Sequence, residues 1–148
     1  MLGIIGGSGI YDIDELDSPE WKTVDSSFGN PSDQLLFGTL QEQPVVFLPR
    51  HGRGHIYSPS SVNYRANIDA LKRSGVSQII ALSAVGSLKS EFTPGTFVLP
   101  DQFIDRTFNR EKSFFGTGLV AHISMAKPVC EKLGKNIMKA GQNIGLKI

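Results

Sequence analysis

Three short stretches of this chain combine glycine, serine, arginine and histidine in ways suited to holding an oxyanion. Gly6-Gly7-Ser8-Gly9 follows an apolar run, Arg50-His51-Gly52-Arg53-Gly54-His55 brings two arginines and two histidines together, and Ser83-Ala84-Val85-Gly86-Ser87 follows a second apolar run. Backbone N–H groups of glycine-rich turns and the hydroxyls of Ser8 and Ser83 are short, uncharged donors that fit a tetrahedral anion. Arg50 adds a planar cation able to bind phosphate through two hydrogen bonds, which lysine does not reproduce in the same geometry. Together these groups describe a phosphate pocket. Each also has a plainer reading. The glycine run serves as a tight turn, Ser83-Ala84 as small residues where a sheet packs closely, and the arginine-histidine cluster as a solvated charged loop. The glycine run lacks the spacing of a dinucleotide fingerprint, and no GxxxxGK[ST] is present, which argues against nucleoside triphosphate binding. His51, His55 and His122 do not share a helix face, and no acid separates the first two, so a metal is not expected. His122, in an apolar stretch, reads in isolation as a core histidine, and Cys130 as a core cysteine near a helix start.

The elements that must position these groups follow from the hydrophobic pattern. Leu2 to Ile5 is predicted to be a buried first strand. Asp12 to Asn30 reads as loop with a short turn of helix, anchored by Trp21 and Phe28. Gln34 to Thr39 and Pro44 to Leu48 read as two strands of a hairpin turning at 40–43. A helix is expected from a Ser60 cap, with Val62, Ala66 and Ala70 at intervals of four beside Ile68 and Leu71, ending at Gly75, and Asn63 and Tyr64 at its opening are explained by capping and packing. Ser77 to Leu82 returns to strand, and Thr93-Pro94-Gly95 turns into a strand-like run at Phe97-Val98-Leu99. Asp101 to Phe115 is a long polar and aromatic loop. Pro128 opens a last helix with Val129, Leu133 and Ile137 on one face, and 144–148 has the alternation of a strand just beginning. The expected fold is α/β, with a mixed, partly parallel sheet flanked by helices. Because a last helix leads into a starting strand, that fold looks interrupted at its carboxyl end. In such sheets the ligand crevice lies beyond the carboxyl ends of the strands, where the glycine run, Arg50-His51, Ser83-Ala84 and the Asp101 loop all fall.

Composition narrows the function classes. Of 148 residues 40% are apolar, and 15 Lys and Arg against 14 Asp and Glu leave a net charge of +1. A chain of this size typically buries about 70% of its unfolded surface and needs no staples. Near-zero charge argues against an extended nucleic-acid track. The single cysteine excludes an internal disulfide framework and suits a reducing compartment. No apolar run approaches the roughly 20 residues of a membrane helix. The first residues lack the basic start and apolar centre of a secretory signal, so the cytoplasm is the expected location. No internal repeat or linker divides the chain, and residues 1–148 are read as one domain.

Read as a set, Ile4-Ile5-Gly6-Gly7-Ser8-Gly9, Arg50-His51-Gly52-Arg53-Gly54-His55, Val62-Asn63-Tyr64-Arg65-Ala66-Asn67-Ile68, Ser83-Ala84-Val85-Gly86-Ser87-Leu88 and Pro100-Asp101-Gln102-Phe103-Ile104-Asp105-Arg106-Thr107 stand in the order found in methylthioadenosine phosphorylases. These belong to the trimeric class of purine nucleoside phosphorylases. The chain resembles the amino-terminal half of that family over essentially all of its length, so 1–148 would be the phosphate-binding half of a single phosphorylase domain. The resemblance implies that Ser8, Arg50, His51, Ser83 and, through its backbone, Ala84 bind phosphate. It places His55 near the 5' side of the sugar and His122 at the nucleoside site of a neighbouring subunit in a homotrimer.

The implied reaction is phosphorolysis of 5'-methylthioadenosine or a related purine nucleoside to free base and a (5-methylthio)ribose 1-phosphate, in purine salvage. Inorganic phosphate is then a co-substrate, and neither a metal nor an organic cofactor is expected. Asp101 and Asp105 are the only acids within the motif loop, but the family places leaving-group protonation in its second half, so no general acid is assigned. Two alternatives stay open at the level of sequence: a 6-oxopurine nucleoside phosphorylase, and a non-catalytic half-length protein that binds phosphate or a nucleoside or assists assembly.

Overall fold

In a computed structural model, which describes residues 1–7 and 9–148, the strands form one five-stranded sheet in the order β2-β3-β4-β1-β5. They are β1 (Leu2–Gly6), β2 (Asp17–Lys22), β3 (Leu35–Leu40), β4 (Gln43–Pro49) and β5 (Gln78–Ala81), with helices α1 (Tyr64–Arg73) and α2 (Glu131–Asn143). β1 runs parallel to both β4 and β5, with Leu2 opposite Val45 on one side and Gln78 on the other, whereas β2, β3 and β4 are joined antiparallel. This is the mixed, partly parallel sheet expected from the pattern. The β3–β4 hairpin turns on Gln41 and Glu42, both with positive φ (48° and 64°), the geometry whose twist matches that of the strands.

Two compact units make up the chain. The first is Met1–Ala84 with Asn109–Phe114, and the second is Val85–Phe108 with Phe115–Ile148. In the first, strand alternation divides the core into two layers. Leu35, Val46 and Leu48 face α1, where they pack with Ala70, Leu71 and Val76. Leu36, Val45 and Phe47 face the opposite side, where Leu16, Ile10 and Ile13 cover them. Gly3 admits close approach on the α1 side, since a Cβ there would lie 2.9 Å from Val76.

Departures from the sequence expectation concern element ends and backbone pairing. β2 lies where loop was expected. Its segment has no apolar alternation, and only the ladder to β3 makes it a strand, with a register shift between Asp17 and Glu20. α1 starts at Tyr64 rather than after Ser60, because Asn63 takes the cap: its side chain accepts from the Ala66 N–H at 3.1 Å and donates to the Phe28 carbonyl at 2.8 Å. Gly75, at φ 83°, ends the helix as expected, with Val76 N–H bonded to the Leu71 carbonyl and Gly75 N–H to Lys72.

In the second unit, α2 starts three residues after Pro128, since Cys130 is still extended. Cys130 is exposed, which corrects its reading as a core cysteine. Phe97-Val98-Leu99 forms no strand. The turn before it is present, with Thr96 N–H bonded to the Thr93 carbonyl, but Phe97 makes only one bond to Lys147 in place of a ladder. Nor are residues 144–148 a strand. Gly145 takes a positive φ of 72°, and Leu146 N–H returns to the Gly141 carbonyl, so the segment closes the helix instead. Among the described residues no helix is long and apolar enough to cross a membrane.

Candidate functional site

The parallel strands β4, β1 and β5 deliver their carboxyl ends to one edge of the sheet. Beyond that edge the pairing continues for one step on each side: Arg50 N–H donates to the Gly6 carbonyl at 2.8 Å and Leu82 N–H to the Ile5 carbonyl at 2.8 Å. Arg50 and Ser83 therefore emerge on either side of the first glycines of the glycine run. Their side chains meet, with Arg50 Nη1 donating to Ser83 Oγ. Ala84 follows on the exposed continuation of that strand. Ser8, the remaining member of the predicted set, lies outside the described residues.

Arg50 is aimed by its neighbour. His51 is 8% exposed and engages both ring nitrogens: Nδ1 lies 2.7 Å from the Tyr57 carbonyl, and Nε2 lies 3.1 Å from Arg50 Nε. Because a carbonyl can only accept, Nδ1 carries the proton. In the neutral ring Nε2 is then the acceptor for Arg50. His55, exposed at φ 57°, stacks on His51 with ring centroids 4.5 Å apart and planes 18° apart. Among the described residues no carboxylate pairs with Arg50, so its charge stays available to an anion.

The same turn carries Arg53, which is exposed, as a solvated loop would have it, but is also tied down on several sides. Its backbone N–H donates to Asp33 Oδ2 at 2.6 Å, its Nε lies 3.2 and 3.1 Å from the two Asp33 oxygens, and its Nη2 reaches Asp33 and Gln34, both at 2.9 Å. The guanidinium lies 4.0 Å from the centre of the Trp21 ring, which meets Tyr11 edge-on. Burial pushes the Asp33 carboxyl up, but the hydrogen bonds from the Arg53 side chain and backbone and from Gln34, together with the Arg53 charge, outweigh it and hold its pKa below the usual value. The hydrogen bonds that the Arg53 guanidinium donates to Asp33 raise the pKa of Arg53 in turn. Asp33 escaped sequence reasoning because it is remote in the chain and belongs to no motif. Trp21 was legible only as an anchor.

The predicted residues thus divide. Arg50, His51, His55, Ser83 and Ala84 all belong to the first unit, and four of them make direct contacts: Arg50 with His51 and Ser83, and His51 with His55. His122 belongs to the second unit and is exposed, which corrects its reading as a core histidine. Asp101 is exposed, while Asp105 accepts from the Thr107 N–H and hydroxyl at 2.8 and 2.6 Å. Among the described residues no three His, Cys, Asp or Glu side chains gather as a metal site. Chemically, the edge offers a fixed cation and a hydroxyl, with a glycine-rich backbone between the strands that carry them. These are groups for orienting a tetrahedral anion rather than for moving a proton.

A family model described as the phosphorylase superfamily matches residues 1–148. The S-methyl-5'-thioadenosine phosphorylase of Rhodospirillum rubrum is 65% identical over 137 residues, covering 93% of this chain and 47% of that protein. That of Cereibacter sphaeroides is 53% identical over 148 residues, covering 100% and 51%. Among solved structures, a methylthioadenosine phosphorylase from an Antarctic soil metagenomic library matches with a TM-score of 0.93 at 46% identity, over 96% of this chain and 50% of that one. The Schistosoma mansoni methylthioadenosine phosphorylase in complex with adenine matches with a TM-score of 0.86 at 42% identity, over 97% and 54%. The chain spans about half the length of the curated relatives it matches.

Proposed function

The chain belongs to the phosphorylase superfamily, and from that premise we propose that it acts in the phosphorolysis of S-methyl-5'-thioadenosine or a related purine nucleoside. A phosphate oxygen attacks the anomeric carbon, the bond from that carbon to the purine nitrogen breaks, and its electron pair leaves with the base. The products are the free purine and (5-methylthio)ribose 1-phosphate. Positive charge develops on the sugar as the base departs, and a phosphate held in line both stabilises that charge and completes the bond.

Arg50, Ser83, Ser8 and the Ala84 backbone are the proposed phosphate ligands. His51 belongs to the same site and contributes by fixing Arg50. His55 and His122 are the proposed nucleoside contacts, His122 from a neighbouring subunit of a homotrimer. In this reading residues 1–148 are the phosphate-binding half of the catalytic unit, a cytoplasmic enzyme of purine salvage. Inorganic phosphate is the co-substrate, and no cofactor is required. The purine-binding and leaving-group functions are then supplied by residues beyond this set. The observation that carries the reading is the Arg50 guanidinium at the carboxyl edge of the sheet, bonded to His51 and Ser83.

The test is phosphate-dependent adenine release from methylthioadenosine, with inosine and a phosphate-free blank alongside, combined with phosphate titration of the chain. Phosphate binding without release supports the reading if Arg50→Ala weakens phosphate by about 100-fold, the loss expected for a charge-assisted bidentate contact, whereas release that needs phosphate would keep the reaction and overturn the assignment of 1–148 as the phosphate-binding half alone. Phosphate neither bound nor used, or a nucleoside requirement that rises in Arg50→Ala while the phosphate requirement is untouched, would overturn the reading.

A further inference from the structure

The Arg50 turn is held from outside by a side-chain cluster that no step of the proposed reaction uses. Asp33 and Gln34 immediately precede β3, and through Arg53 they grip the turn that follows β4. The segment carrying Asp33 is itself fixed from the other side. Ser32 N–H donates to Asn67 Oδ1 at 2.7 Å, and Asn67 Nδ2 donates to Ser32 Oγ at 2.9 Å, both buried, so α1 anchors it. Gly52 lies against the same segment. At φ 72°, a Cβ there would stand 2.9 Å from the Ser32 carbonyl oxygen. Within the turn, Gly52 N–H bonds to Pro49, His55 N–H to Gly52 and Tyr57 N–H to His51, each at 3.0 Å. A continuous set of contacts therefore leads from Trp21 and Asp33 through Arg53 into the turn, on to His51, and from His51 Nε2 to Arg50 Nε.

We propose that Asp33 and Arg53 are positioning residues for the phosphate site, acting by fixing the turn that aims Arg50. This inference rests on the reading of Arg50 as a phosphate ligand. Arg53 is 44% exposed and Asp33 12%, and a partly exposed pair of this kind adds little to global stability. What it fixes is local geometry, on which an oriented anion site depends steeply. Arg53 suits the task because one planar fork makes the bidentate bond to Asp33 and stacks on Trp21 at once, whereas lysine keeps the charge and loses both.

Electrostatics and positioning predict opposite signs for one substitution. Asp33→Asn removes a negative charge, so charge alone tightens phosphate binding, whereas a loosened turn weakens it. The experiment is a titration of the 148-residue chain with inorganic phosphate, followed by phosphorus NMR. Trp21 emission serves as a second readout, since this is the one tryptophan in the chain, and the thermal midpoint by circular dichroism verifies folding. Asp33→Asn, Arg53→Ala and Arg53→Lys are each expected to weaken phosphate about tenfold, shift Trp21 emission and leave the midpoint within a few degrees. Arg50→Ala is expected to lose phosphate with Trp21 emission unchanged. Full affinity in Arg53→Lys, or unchanged or tighter binding in Asp33→Asn, beside a loss in Arg50→Ala, would overturn the positioning role and leave the phosphate site standing. Unchanged affinity in Arg50→Ala would instead overturn the phosphate reading, and the positioning role with it.

Discussion

The two compact units use apolar residues in opposite ways. Every buried apolar side chain of the described core, from Leu16 to Val76, lies in the first unit, where two faces of one sheet are each covered. The second unit is also rich in large apolar residues, yet Phe97, Val98, Phe103, Ile104, Phe108, Leu119, Val120 and Ile123 are all exposed, and its one buried residue is Gly141. Apolar content therefore does not make a core by itself. A core needs an apolar face covered by a second layer, and here only the sheet of the first unit has its faces covered. The second unit has a single helix, and a lone helix gives apolar neighbours nothing flat to pack against.

The contrast is broken most directly by truncating a phenylalanine in each unit. Phe47→Ala, in the middle of β4, is expected to cost about 3 to 5 kcal/mol. Phe103→Ala is expected to stay within about 0.5 kcal/mol. Urea denaturation of both variants measures the difference, and equal losses would mean that the second unit has a core of its own. A smaller effect sharpens the contrast within the first unit, between its core and its turns. Gly52→Ala places a side chain at φ 72° against the Ser32 carbonyl, and a loss of about 1 to 3 kcal/mol is expected by the same method. No loss would mean that the turn moves freely over the Ser32 segment.

The smallest effect is read by acid. The Asp33 carboxyl is held below its usual pKa, so its contribution to stability is present above the unfolded value of about 3.9 and is lost as the pH falls through the lower folded value. Trp21 emission in the folded chain is expected to stay constant down to about pH 4 and to change only below it, with Asp33→Asn removing that step. A step centred above about pH 4 in the unaltered chain would contradict the lowered pKa.

Much of the first unit was legible because its residues obey a period. Leu2 to Ile5 and the hairpin strands are short apolar runs bounded by turns, and the Ala66, Ala70 and Leu71 stripe marks one face of α1. The limits of α1 were less clear. Ser60 and Asn63 are both good caps by type, and the carbonyl of Phe28, distant in sequence, favours Asn63. β2 was not legible at all, since Asp17 to Lys22 has no apolar alternation and becomes a strand only by pairing with β3. The strand-like runs at Phe97 and at 144–148 had the pattern but found no ladder.

For the candidate site, sequence alone determined which groups are available: glycine turns, Arg50, His51 and Ser83 at predicted strand ends, chemistry that depends on residue type and on position along the chain. The tertiary structure decided how they combine. Parallel pairing of β4, β1 and β5 brings three chain segments to one edge, so Arg50 meets Ser83 across 33 residues. It also decided that Arg53, though partly exposed, is an anchored residue, because Asp33, 20 residues away, and Trp21 close on it. Such contacts carry no local period. They arise when the sheet fixes distances that the unfolded chain leaves free.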